Sequence, residues 1–215
     1  MAHHGVLFLD ELPEYPPNVL ETMRQPLEDG SITISRAVGS VTYPSRFMLV
    51  AAMNPCKCGW FGHPSGRCRC TPNEVRRYHN RVSGPLLDRI DLIVEVPSLE
   101  YEDLKALPSG ERSESIRARV NAARAVQRAR FGAGGAESNA HMGPKELAQF
   151  CRLSDDCERL MHQAFDAMGL TARSYDRILR MARTIADLDG AADIQPQHLA
   201  EAIQYRTFDI NQGIE

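Results

Sequence analysis

Lysine is almost missing from this chain of 215 residues: of 25 basic residues only Lys57, Lys105 and Lys145 are lysine, and the others are arginine. Arginine makes bidentate contacts with phosphate and carboxylate, although a gene rich in G and C would give the same bias. Positive charge is not in surplus either. The formal net charge is -3 at pH 7, so no global basic field advertises nucleic-acid binding. No apolar run reaches the roughly 18 residues of a membrane span. The N-terminal MAHHGVLFLDEL lacks a basic leader and a small-residue cleavage site, so no signal peptide is expected. Six cysteines are too few for a disulfide scaffold. Four of them lie close together, which points to metal binding in a reducing cytoplasm.

The hydrophobic pattern changes partway along the chain. Val6 to Leu9 is a continuous apolar run, expected to be a strand buried on both faces. A helix is expected over 17–27, opened by Pro16 and Pro17. Residues 31–43 alternate around a turn near Val38-Gly39 and predict a hairpin. A second buried strand is expected over 46–53, a loop rich in Cys, Gly and Pro over 54–72, a helix over 72–81 and a third strand over 91–96. Beyond Pro97 no strand signal remains. Helices are expected over 113–130, 144–151, 154–168, 171–188 and 196–206, with a flexible Gly/Ala-rich loop over 132–141. The fold class is therefore α/β over 1–97 followed by all-α over 98–215.

Three short motifs carry chemistry. GVLFLDEL puts Asp10 and Glu11 at the C-terminal end of a strand, the edge where open α/β sheets bind ligands. Aspartate there can hold Mg²⁺ and the adjacent glutamate can activate water, or the pair can simply begin a loop. AAMNP puts Asn54 at a similar strand end. Its amide can both donate and accept, and so orient a water; asparagine before proline is also an ordinary turn. GPLLDRID sets Arg89 before the third strand, either to stabilise phosphate charge on a neighbouring subunit or to pair with Asp88 or Asp91.

Together, LFLDEL, AAMNP and LLDRID in this order resemble the AAA+ ATPases of the magnesium-chelatase-like clade, and within it the YifB/ComM group. RQPLEDG, ITISRA and ARTIADL extend the resemblance to the C-terminal region. It implies that Asp10 and Glu11 form a Walker B motif, Asn54 is sensor 1 and Arg89 an arginine finger. Arg173 would be the sensor-2 arginine opening a lid helix, with Arg177, Arg180 and Arg183 as neighbouring alternatives. No GxxxxGK[ST] phosphate loop occurs in the sequence. The expectation is thus an incomplete P-loop core, Walker B onward, plus a helical lid. In the family's strand order five-one-four-three-two, this chain would supply the third, fourth and fifth strands. It would be part of a longer protein and bind ATP poorly by itself.

Cys56-x-Cys58 and Cys68-x-Cys70 can close a tetrahedral Zn²⁺ site. Two disulfides, or a site using His63, are the alternatives. Cys151 and Cys157 read as buried helix residues. Between Cys56 and Arg89 seven basic residues stand against two acidic ones, with Trp60, Phe61 and Tyr78 interleaved. Arg67, Arg69, Arg76 and Arg77, with Arg36 near the hairpin tip, suit contact with single-stranded or branched DNA; salt bridges between subunits would use the same charges. The arginines of 113–130 read as a solvated or intersubunit face. By resemblance, the whole protein would be a cytoplasmic, Mg²⁺-dependent ATPase assembling as a homo-oligomeric, hexameric ring that moves DNA in recombination. The alternatives are a chelatase-type motor acting on a protein partner and a non-catalytic module completing a neighbour's site.

Overall fold

The computed structural model describes residues 2–37, 39–98 and 110–206. It divides into two units, one ending at Ile90 and one starting at Asp91. The first contains β1 (Val6–Leu9), α1 (Pro17–Thr22), α2 (Arg24–Asp29), β2 (Ser31–Arg36), β3 (Gly39–Pro44), β4 (Met48–Ala51), α3 (Pro72–His79) and α4 (Gly84–Leu87). β1 and β4 pair in parallel, Val6 opposite Met48 and Leu9 opposite Ala51. Two strands separated by so much sequence thus end side by side.

The helix expected over 17–27 is broken at Met23 into α1 and α2. Pro26 has no N–H to return to the Thr22 carbonyl, so one hydrogen-bond ladder cannot run through. α2 ends at Gly30, whose φ of 62° suits glycine. Leu12, Leu20, Val82 and Leu86 are buried beneath the sheet, with Leu9, Ala51 and Met53 packed on them.

Burial of β1 and β4 on both faces is not what the structure has. Val6, Phe8, Met48 and Val50 form an exposed face. Strand side chains alternate, so full cover needs a layer on each side, and the described elements of this unit pack on one. The hairpin is as expected, although Val38 lies outside the described residues. Arg36 stands opposite Gly39 at its tip. One face carries the hydroxyl ladder Thr33–Thr42 (2.9 Å) and Ser35–Ser40 (2.8 Å); the other exposes Ile32, Ile34, Val41 and Tyr43.

The third strand does not form. Over 91–96 the backbone makes one described hydrogen bond, Ile93 N–H to the Tyr205 carbonyl (3.1 Å), and Leu92, Val94 and Val96 are exposed. A strand exists only through a partner, and in the expected order its neighbour is one this chain does not supply.

The second unit is helical, with α5 (Ser113–Phe131), α6 (Pro144–Phe150), α7 (Asp155–Met168), α8 (Ala172–Leu188) and α9 (Pro196–Arg206). α8 is central: Ile178, Leu179, Met181, Ala182 and Ala186 are buried on it, against Met161, Leu199 and Ile203 among others. Ser154 caps α7 and Thr171 caps α8 through side-chain oxygens. No helix among the described residues is long and apolar enough to cross a membrane.

An ionic network sits inside this unit. The Asp187 carboxylate accepts two bonds from Arg130 (2.5 and 2.7 Å), one from Asn139 (2.7 Å) and one from Arg183 (3.0 Å). Arg183 also donates to the carbonyls of Ala191 and Ala192, both at 2.7 Å. Two expectations change accordingly. Arg130 is not part of a solvated face, because it turns inward to Asp187. The stretch 132–141 is not loose throughout, because Asn139 is buried and bonded to Gln127, Arg130, Thr184 and Asp187.

Candidate functional site

The ends of β1 and β4 depart from ladder geometry in an informative way. The Ala52 N–H donates to the Leu9 carbonyl (2.9 Å), as a parallel pair requires. The Ala52 carbonyl should then accept from Glu11, but accepts instead from Leu12 (2.9 Å). Glu11 is therefore an extra residue, a bulge of the kind that re-aims a side chain beside a site. It sits at φ 50°, ψ 49°, a left-handed conformation that costs a non-glycine residue about 1–2 kcal/mol. Its displaced N–H is taken by Asp10 Oδ1 (2.9 Å). Asp10 and Glu11 are both exposed. The register brings Asn54, also exposed, to the same sheet edge, two residues beyond Ala52.

α3 secures that edge. Tyr78 is buried and hydrogen-bonded to the main chain of Asn54. Burial raises its phenol above the ordinary range, while that hydrogen bond works in the opposite sense. His79 Nε2 donates to the Pro55 carbonyl (2.8 Å); a carbonyl only accepts, so this nitrogen carries the proton. Neither role is legible in the sequence: Tyr78 is interleaved with basic residues, yet it faces inward. The signal, in retrospect, is an aromatic pair one helical turn after Val75, on the buried side of a short helix.

Arg89 is nearly buried. It pairs with Glu28 and donates to the Pro85 carbonyl (2.6 Å). Arg173 lies exposed in the first turn of α8, in the other unit. Arg177 faces Asp91 (3.4 Å), Arg180 donates to the Met142 carbonyl (2.8 and 3.0 Å), and Arg183 belongs to the Asp187 network.

Cys56, Cys58, Cys68 and Cys70 converge, their sulfurs all within 4.8 Å of one another. Cys56–Cys58, Cys56–Cys68 and Cys58–Cys68 are 3.3, 3.8 and 3.7 Å apart. Four thiolates at a Zn–S distance of about 2.3 Å would stand about 3.8 Å from each other at the corners of a tetrahedron, so the donor set fits zinc. All six cysteines are unbridged. His63 is engaged elsewhere, accepting from the Ser65 N–H (3.0 Å). Main-chain hydrogen bonds from Trp60 and Arg69 draw the Cys58 thiol down to about 6, and its bond to Cys58 pushes that of Cys70 up to about 12. Cys56 is buried against Val75 of α3, and Thr71, next after Cys70, caps that helix in a capping box with Glu74. The knot thus joins the end of β4 to the start of α3.

The basic residues of this region are largely exposed. Arg81 is paired with Glu14 (2.8 Å) and Arg89 with Glu28. Arg67 stacks over Trp60, 5.0 Å from the ring centroid. Arg36, Arg69, Arg76 and Arg77 are exposed.

A family profile described as magnesium chelatase, subunit ChlI, matches residues 1–104, and one for the C-terminal part of the same subunit matches 110–206. The competence protein ComM of Haemophilus influenzae is 46% identical over 210 residues. The YifB proteins of Escherichia coli and Salmonella typhimurium are 43% and 42% identical over the same length. Each alignment takes in 97% of this chain and 40% of the relative, so the chain spans about two fifths of the proteins it matches.

Proposed function

Since the chain belongs to the magnesium chelatase ChlI family, we propose that it is part of a ring-forming AAA+ ATPase that couples ATP hydrolysis to remodelling single-stranded or branched DNA. The family has an AAA+ type fold. One observation carries the nucleotide site: the bulge that presents Glu11 beside Asp10 at the sheet edge Asn54 shares. The mixed unit is then part of the nucleotide core, and the helical unit is its lid.

Asp10 fits Mg²⁺, because the Glu11 N–H occupies Oδ1 and leaves Oδ2 for the ion. Bound Mg²⁺ neutralises charge on the β- and γ-phosphates. Glu11 accepts a proton from water as the water oxygen bonds to the γ-phosphorus and the ADP oxygen departs. The Asn54 amide, carried on a main chain that Tyr78 holds, orients that water. Arg89 serves a neighbouring copy in a hexameric ring, leaving Glu28 as it does so, and Arg173 binds nucleotide phosphate from the lid. The four thiolates hold a closed, structural Zn²⁺, and their unbridged state suits the cytoplasm. Arg36, Arg67, Arg69, Arg76 and Arg77 meet DNA phosphates. The competence role named for the Haemophilus relative favours DNA over a protein partner.

The test uses the full-length protein. Glu11→Gln is expected to lower ATP turnover about 10²–10⁴-fold, the usual span of a general base, with nucleotide binding retained. Unchanged turnover would remove the assignment. Turnover stimulated by forked DNA at low salt and not at high salt supports the DNA partner. Stimulation only by a protein would replace it with the chelatase-type reading.

A further inference from the structure

Three aromatic residues are interleaved with the arginines of the cysteine region, and the fold treats them differently. Tyr78 faces inward under Asn54, and Phe61 packs against the buried cluster of Cys56 and Val75. Trp60 alone of the three points outward, with 37% of its surface exposed. Apolar ring surface left in water is unfavourable for the free chain.

The loop is built to hold the ring still. Successive turns close from Gly59 N–H to the Cys56 carbonyl (3.0 Å), His63 to Trp60 (3.2 Å) and Gly66 to His63 (3.2 Å). The thiol pairs flank these turns on both sides. His63 stands edge-on to the indole, 4.9 Å between centroids and 80° between planes. The Arg67 guanidinium lies over the indole ring, placing a phosphate-binding group beside an aromatic surface. Arg69 and Lys57 are exposed next to it in sequence.

We propose that Trp60 is a stacking platform for an unpaired base of single-stranded DNA, with Arg67 engaging a phosphate of the same strand. It rests on the reading of the protein as acting on DNA and narrows it to a base-level contact. Unpaired bases offer their faces, whereas those in a duplex are stacked on one another. Stacking on an ordered ring is tolerant of sequence because every base has a π-face.

Trp60 is the sole tryptophan, so its fluorescence reports on the loop without ambiguity. The zinc-loaded chain of 215 residues is titrated with a dT oligonucleotide of about 20 residues, a length that spans more than one single-strand site. The expected result is quenching by dT, and little by the equivalent duplex or by heparin. Trp60→Ala should weaken dT binding, read by anisotropy, about 5- to 150-fold, the equivalent of one stacked base. Its salt slope should be unchanged because no phosphate contact is removed. Trp60→Phe, carrying the same zinc, should recover most of the affinity and covers the case in which the alanine variant does not fold. Equal dT binding by Trp60→Ala and the parent chain overturns the stacking role and leaves the DNA reading standing. Quenching by heparin equal to that by dT overturns it too. If neither dT nor a forked duplex binds, both readings fall.

Discussion

Cys56→Ser is expected to abolish stoichiometric zinc binding. The parent chain should carry about one equivalent, as a closed four-thiolate site does. Even changes outside the ligand shell cost about 10–100-fold in metal affinity, so loss of a ligand should cost more. Cys56 is the buried member of the set and also packs on Val75, so serine there removes a ligand and loosens the small core beneath it. Besides the thiolates, residues 57–69 are ordered by local turns, by Phe61 on the small core and by the contacts of Trp60 with His63 and Arg67. Cleavage by trypsin after Lys57, Arg67 and Arg69 should therefore accelerate in the variant, and in the parent chain after chelation. Thiols must lose protons to bind the metal, so affinity should fall as pH falls. Cys151→Ser and Cys157→Ser, which alter buried sites in the helical unit, should keep full zinc content. Metal analysis after dialysis decides it: a Cys56→Ser protein retaining one tightly held equivalent would rule out a Cys₄ centre.

The second large effect lies far from any proposed chemistry. Asp187→Ala should destabilise the helical unit by about 3–5 kcal/mol, the usual result of removing one partner from a buried ion pair. Its side chain is 0% exposed and sits between two guanidiniums, themselves 11% and 3% exposed. Alanine would strand both charges and leave Asn139 with Thr184 as the acceptor for its amide. Urea unfolding followed by helical circular dichroism measures the loss, and a change below about 1 kcal/mol, the scale of an exposed pair, would contradict the network's importance. Burial by itself raises the Asp187 carboxyl, but bonds from Arg130 and Asn139 and the charge of Arg183 outweigh it and hold it below the ordinary value. A carboxyl depressed on folding contributes stability that is fully present above its unfolded pKa of about 3.9 and is lost as pH falls through the folded value. The Asp187→Ala variant should therefore show a shallower loss of stability below about pH 4.

Much of the architecture is legible in the sequence because local signals and tertiary packing agree. The alternation of 31–43 gives a hairpin with one hydroxyl face and one apolar face. The periodicity of 172–188 gives α8 with its buried stripe. What is not legible depends on distant partners. DLIVEV has every mark of a strand, but pairing is a property of two segments. An apolar run such as VLFL cannot report whether a second layer covers it. Arg89 has acidic residues beside it in sequence, and its pair with Glu28, brought close by α2, is not announced there. The acidic pair and Asn54 could be assigned to one sheet edge from strand ends alone. The bulge could not, since nothing in the local sequence announces that a glutamate will adopt positive φ.

That backbone angle has a practical corollary. Glycine tolerates the left-handed region far better than glutamate, so Glu11→Gly relaxes the chain at the very residue whose carboxylate the proposed hydrolysis requires. Any selection rewarding heat endurance alone would be drawn toward glycine here and would recover sturdier, silent proteins. Engineering of this scaffold for robustness should hold position 11 fixed and look for its gains elsewhere.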